Sequence, residues 1–262
     1  MLGKLIKYEL KGTAHYFLPL FAATVVLSML IRLFGGAIVQ STPLISGLLI
    51  FIEVVLIIAL AVMTLVITIQ RFYKNLLGNE GYLMFTLPVS THHNIWGKLL
   101  VATLWNIAAG LVIALSVLIM VWQVDFAEFF APLWRELSSM LSIENPLLLI
   151  FEWIVVGLIG VAGNILLLYL AMAIGQLANA HKFLASFGAF IALQCAMGAI
   201  TAILTGIIAI LPIQPLLAWL EQQGPIVILH LGTLVAALTA IVSGAVYYFF
   251  THWLLKRKLN LT

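Results

Sequence analysis

The stretch "RFYKNLLGNEGYLMFTLPVSTHHNIWGK", Arg71 to Lys98, decides the fold by being unlike the rest of the chain. It carries four charges and two histidines, His92 and His93, while the runs on either side of it are almost wholly apolar. Of the 262 residues, 64% are hydrophobic and 8% charged. A soluble globular domain is about half apolar and about a quarter charged. No soluble core takes up this much apolar surface, so the sequence reads as an integral membrane protein, and the polar stretch as a segment held outside the bilayer.

Working outward from that stretch, apolar runs long enough to cross a membrane fall at about 16–34 and 44–69 before it. Four more follow, at about 97–122, 147–174, 184–211 and 225–254. Some 18 to 20 apolar residues suffice for a helical span. The alternating pattern of a barrel strand is absent. The predicted fold is an all-α integral membrane protein, a single transmembrane domain of six helices over residues 1–262.

Basic residues set the orientation. Lys4, Lys7, Lys11, Arg71, Lys74, Lys98, Lys182, Lys256, Arg257 and Lys258 fall on one side if the spans alternate; only Arg32 and Arg135 fall on the other. The positive-inside rule then places both termini in the cytoplasm, with residues 70–97 as a cytoplasmic loop. Asp125, Glu128, Glu136, Glu144 and Glu221 collect on the outer face.

The N-terminus reads as a basic amphipathic segment and not as a removable signal peptide. Leu2, Leu5, Ile6 and Leu10 share one helical face, and Lys4, Lys7 and Lys11 share another. Such a helix lies in the headgroup plane, its lysines meeting anionic membrane lipids. It serves as an anchor, as an elbow touching a cytosolic partner, or as both. With a net charge of +3, no nucleic-acid partner is expected. The single cysteine, Cys195, excludes a disulfide framework and a thiolate metal site, and reads as a small packing residue.

The polar stretch is too long and too aromatic for a plain connector. Gly78, Asn79, Glu80, Gly81, Tyr82, Leu83, Met84, Phe85, Thr86 and Leu87 mix charge with apolar side chains that no adjacent span buries. Pro88 ends the run. Apolar side chains held in the cytoplasm form a docking knob, or fold back on the helix ends. The chain has no G-x-x-x-x-G-K-[ST] phosphate loop, so nucleotide hydrolysis is not expected on it.

"RFYKNLLGNEGYLMFTLPVS", between the second and third of six spans, resembles the membrane (permease) subunits of type-two ABC exporters. The likeness covers the whole chain in topology and is most specific at "GNEGYLMFTLPVS". It implies that Gly78 to Leu87 form a coupling helix that docks on a separate cytosolic ATPase, and that residues 1–12 form the elbow helix. It further implies a second permease subunit, identical or not. The chain itself would then be no enzyme and bind no cofactor, with ATP and Mg held by the partner. The expected place is the plasma membrane of a bacterium, and the expected cargo an amphipathic or hydrophobic compound, a peptide or lipid-like.

Three ionisable residues fall within or near the spans: Arg32, Glu53 and Glu152. Intramembrane charge is costly and meets a partner or water. Either Arg32 pairs with Glu53 or with Glu152, or these groups line an outward-facing vestibule. The outer segment 123–146, with Phe126, Phe129, Phe130, Leu133 and Trp134 at helical spacing, is an interfacial helix or an outer gate. "LPIQPLLAWLEQQGP" is a shorter insertion before the last span, re-entrant if the resemblance holds. Small residues at four-residue spacing, Gly198, Ala202 and Gly206, then Ala236, Ala240 and Gly244, predict close helix packing, of the fifth span on the sixth or, less favoured, across a dimer contact. His15, His92, His93, His181, His230 and His252 are scattered, and no metal is assigned. Two other functions fit less of the sequence: an ion-coupled secondary transporter, and a membrane assembly or sensor subunit without transport.

Overall fold

The computed structural model describes residues 2–41, 43–77, 90–121, 131–132, 135–136, 138–139, 146–178, 181–212 and 214–257. Helix α1 runs Leu2–Ser41 and α2 Pro43–Phe72, the latter continuing into a π-helical turn at Tyr73–Leu77. Then come α3 (Thr91–Val121), α4 (Pro146–Gly175), α5 (Lys182–Ile210), α6 (Gln214–Gln223) and α7 (Pro225–Arg257). No strand occurs among the described residues.

Six of these helices are long and apolar enough to cross a membrane: Gly3–Leu33, Gly47–Phe72, Thr91–Met120, Leu147–Gly175, Lys182–Ile210 and Pro225–Lys256. The six expected spans are therefore present, the third starting six residues early. One difference lies at the N-terminus. The amphipathic segment is not a separate elbow helix but the first three turns of α1, which continues unbroken past Pro19. Pro19 removes one backbone donor, a loss that spans tolerate. The amphipathic pattern itself is real: Lys4, Lys7 and Lys11 are exposed, while Leu5, Ile6 and Leu10 are half-buried.

Sequence chemistry sets the helix ends. Pro43, Pro146 and Pro225 each stand first in a helix, where a missing N–H costs nothing and φ is preset. Gly224, between α6 and α7, has φ +85°, a conformation that glycine adopts without strain. The polar side chains inside the spans turn back on their own backbone. Thr24, Thr64, Thr68, Thr201 and Thr251 each donate to the carbonyl four residues earlier, at 2.7–2.9 Å. A hydroxyl so bonded can sit in an apolar helix without an orphaned donor.

The outward side chains are apolar. Leu44 is 88% exposed, Ile210 87%, and Leu33 and Phe183 74% each. A water-facing surface does not carry such residues in quantity; a lipid-facing one does.

The chain divides into two units, Met1–Arg71 with Trp96–Arg135, and Phe72–Ile95 with Glu136–Thr262. In the first, Phe17 stacks on Trp105 at 4.5 Å between centroids, and the indole Nε1 donates to Thr13 Oγ1 at 2.7 Å. Such a ring pair contributes about 1 kcal/mol beyond the area it buries. In the second, α4 packs on both α5 and α7.

A Cβ on Gly244 would lie 3.9 Å from Gly163 Cα, and one on Gly163 would lie 3.9 Å from the Ala240 carbonyl oxygen. The small-residue stripe of the sixth span therefore packs on the fourth span, not on the fifth as its sequence spacing predicts. On the fifth span, a Cβ at Gly198 or Gly206 would meet no described atom within 4 Å. Cys195, read as a packing residue, is exposed.

Of the outer segment 123–146, the described residues form helical fragments. Arg135 Nε donates to the Ala131 carbonyl at 3.2 Å, and Ser139 Oγ to that of Glu136 at 2.9 Å. The insertion before the last span contains the ten-residue α6, with Trp219 exposed.

Candidate functional site

The polar stretch that decides the fold is held at both ends. In the first unit, Lys98 Nζ donates to Glu9 Oε1 at 2.7 Å, and Arg71 Nη1 lies 3.8 Å from Glu9 Oε2. Arg71 also donates through Nη2 to the Gly12 carbonyl. Residue 12 is a glycine where the guanidinium arrives; a Cβ there would lie 3.1 Å from Nη2. A single carboxylate on α1 thus gathers the cations that begin and end the stretch.

The environment strengthens this arrangement. The Lys98 side chain is 4% exposed and that of Glu9 12%. Ion pairs screened from water keep far more of their Coulomb energy than surface pairs. Loss of Glu9 would take the carboxylate from both cations at once.

In the second unit, the inner part of the stretch is also packed. Phe72 stacks on Tyr169 at 3.9 Å, both fully buried, and Leu76 and Leu77 are buried beside the start of the loop. At the other end, Ser90 Oγ lies 2.6 Å from His93 Nδ1. His92 Nδ1 lies 2.5 Å from the Tyr248 hydroxyl, and its ring stacks on His252 at 3.9 Å. Residues 78–89, which include the expected coupling residues Gly78 to Leu87, lie outside the described residues.

The three intramembrane charges fall as follows. Glu53 is fully buried; Ser28 Oγ donates to its Oε1 at 2.7 Å, and its Oε2 has no hydrogen-bond partner among the described residues. Glu152 on α4 is met by α7: Thr233 Oγ1 donates to Oε2 at 2.7 Å, and His230 Nδ1 lies 2.9 Å from both carboxylate oxygens. The bonds described for the two carboxylates come from Ser28, Thr233 and His230.

Sequence reasoning passed over Glu9, His230 and the His92–Tyr248–His252 group. Glu9 offered one signal, being the only carboxylate within a basic segment. Among the described residues, no group of three or more His, Cys, Asp or Glu is placed to hold a metal ion.

Six apolar helices with internally bonded polar groups define a multi-pass, all-helical membrane protein. Comparison with protein-family models, with curated proteins and with solved structures gives no match.

Proposed function

We propose that the chain is the permease subunit of an ABC exporter, moving an amphipathic or hydrophobic cargo through a pathway it forms with a second permease subunit. A separate cytosolic ATPase, carrying ATP and Mg, docks on Gly78 to Leu87. The observation that carries this reading is the clamp at Glu9. A loop whose two ends are tied to the first span by one carboxylate passes a push on the loop to that span as a rigid-body shift. A loop serving only as a connector has no use for such a clamp. The lysines of the N-terminal segment rest on anionic lipid and steady the clamp from below. The class resemblance at "GNEGYLMFTLPVS" supplies the motor, and the bacterial plasma membrane is the proposed location.

Ion-coupled transport remains a second reading because a titratable pair, Glu152 and His230, bridges two spans. An assembly or sensor subunit would use the same docking loop without moving cargo.

Co-expression with the stand-alone ATPase encoded nearest the gene tests the first reading. The two proteins are expected to co-purify in detergent, with the ATPase lost when residues 78–87 are replaced by a Gly-Ser linker. Co-purification that survives the replacement contradicts the docking assignment.

A further inference from the structure

Helices α4 and α7 enclose a pocket of about 150 Å³, with Glu152, His230 and Thr233 set among Phe151, Val156 and Leu234. The carboxylate and imidazole are 28% and 31% exposed, and Phe151 and Leu234 are 66% and 56% exposed. The pocket therefore opens on the outward apolar surface, where lipid chains lie.

Its chemistry selects a ligand. An ionised carboxylate offers about four acceptor positions. Thr233 and His230 supply donors for part of them, and both hold the carboxylate in place. With a proton on Nδ1, the imidazole donates to the carboxylate. No lysine or arginine lines the pocket among the described residues, so remaining acceptor capacity faces open space in a region of low dielectric. A cation with N–H groups, or with a diffuse positive charge, fits there. An anion would face the carboxylate in the medium where repulsion is strongest, and a neutral head would gain no Coulomb attraction from it.

Size narrows the class further. Pockets that enclose whole drug-sized molecules measure about 300–1,000 Å³. A volume of about 150 Å³ takes a head group and its first few carbons. The remainder of the chain would lie outside, along Phe151 and Leu234.

We propose that this pocket binds the ammonium head of a membrane-dissolved alkylamine or alkyltrimethylammonium, with Glu152 as counter-ion and Thr233 and His230 as the groups that position it. A phospholipid amine is a poorer occupant, because its phosphate would be brought up to the same carboxylate. The site belongs to the helix pair and needs no ATPase, so its failure would leave the exporter reading standing.

The test is equilibrium binding of radiolabelled dodecyltrimethylammonium to the full chain in phosphatidylcholine nanodiscs, with empty discs subtracted. We expect saturable binding near one per chain, displaced by dodecylamine but not by dodecanol. E152Q should weaken it at least tenfold, while E53Q should leave it unchanged. Ala237→Leu, which narrows the pocket with the carboxylate intact, should weaken it as well and guards against a folding defect in E152Q. Binding no greater than in empty discs overturns the proposal, as does wild-type binding in both E152Q and A237L. Equal displacement by added phosphatidylethanolamine overturns the choice of a free amphiphile.

Discussion

Lys98 and Glu9 stand 89 positions apart in sequence and 2.7 Å apart in space, joined by a hydrogen-bonded ion pair in which the lysine is almost completely buried. One belongs to the first helix and the other to the third, and Arg71 at the end of the second reaches the same carboxylate. Three helices of one unit are thereby tied at a single oxygen pair at the base of the polar stretch.

Removing one partner of a buried pair strands the other, at a cost of about 3–5 kcal/mol. Glu9→Ala should lower the thermal unfolding midpoint in nanodiscs by several degrees. The double substitution with Lys98→Met should recover part of that loss, because it removes one of the two cations that Glu9 holds. A double variant as unstable as the single one would mean that the two residues are not energetically coupled.

Gly175 ends α4 where the chain turns back toward α5. A Cβ on it would fall 2.6 Å from Ser186 Cα, on backbone that cannot swing away as a side chain could. Gly175→Ala is therefore expected to destabilise by at least 1–3 kcal/mol, the usual range for overpacking. Gly188→Ala, on α5 with nothing within 4 Å of its Cβ, should be neutral or slightly stabilising by helix propensity. Thermal unfolding of the two variants side by side checks both.

Ser28 supplies the described hydrogen bond to the buried Glu53, whose other oxygen has none among the described residues. Ser28→Ala should cost about 1–3 kcal/mol, the range for a buried polar group left without its hydrogen bond. Glu53→Gln, which keeps an acceptor for Ser28 in the fully enclosed site, should cost less. Chemical denaturation of the two variants ranks them; the opposite order would show that Ser28 does not sustain the carboxyl group.

The placement of lysines and arginines predicts that both termini are cytoplasmic. In a Cys195→Ala background, a cysteine at Glu136 should react with a membrane-impermeant maleimide added outside intact cells. One at Glu80 should react only after the membrane is opened. The reverse pattern would invert the topology.

The six spans were legible because a run of apolar residues has only one way to cross lipid, and length alone distinguishes it. The continuous α1 was less so: a charged amphipathic segment and an apolar run differ in composition, but nothing in the sequence marks a break between them. Tertiary partners were harder still. The stripe at Ala240 and Gly244 announces close packing without naming the neighbour, and the neighbour proved to be Gly163 on α4. Glu9 and His230 were overlooked because an isolated ionisable residue acquires its role from groups 78–89 positions away, which no local pattern encodes. The role of Glu80 to Leu87 rests on composition and resemblance, since these residues lie outside those the structure describes.

The central claim is that a separate ATPase drives this chain through the stretch between Arg71 and Lys98. Its most direct test is ATP hydrolysis by the reconstituted permease–ATPase complex in proteoliposomes, comparing the wild-type chain with one in which Glu80, Tyr82 and Phe85 are replaced by alanine. The account predicts that the triple variant inserts normally but loses both the complex and the permease-dependent part of the hydrolysis. Intact complex formation and undiminished coupled hydrolysis in that variant would contradict it.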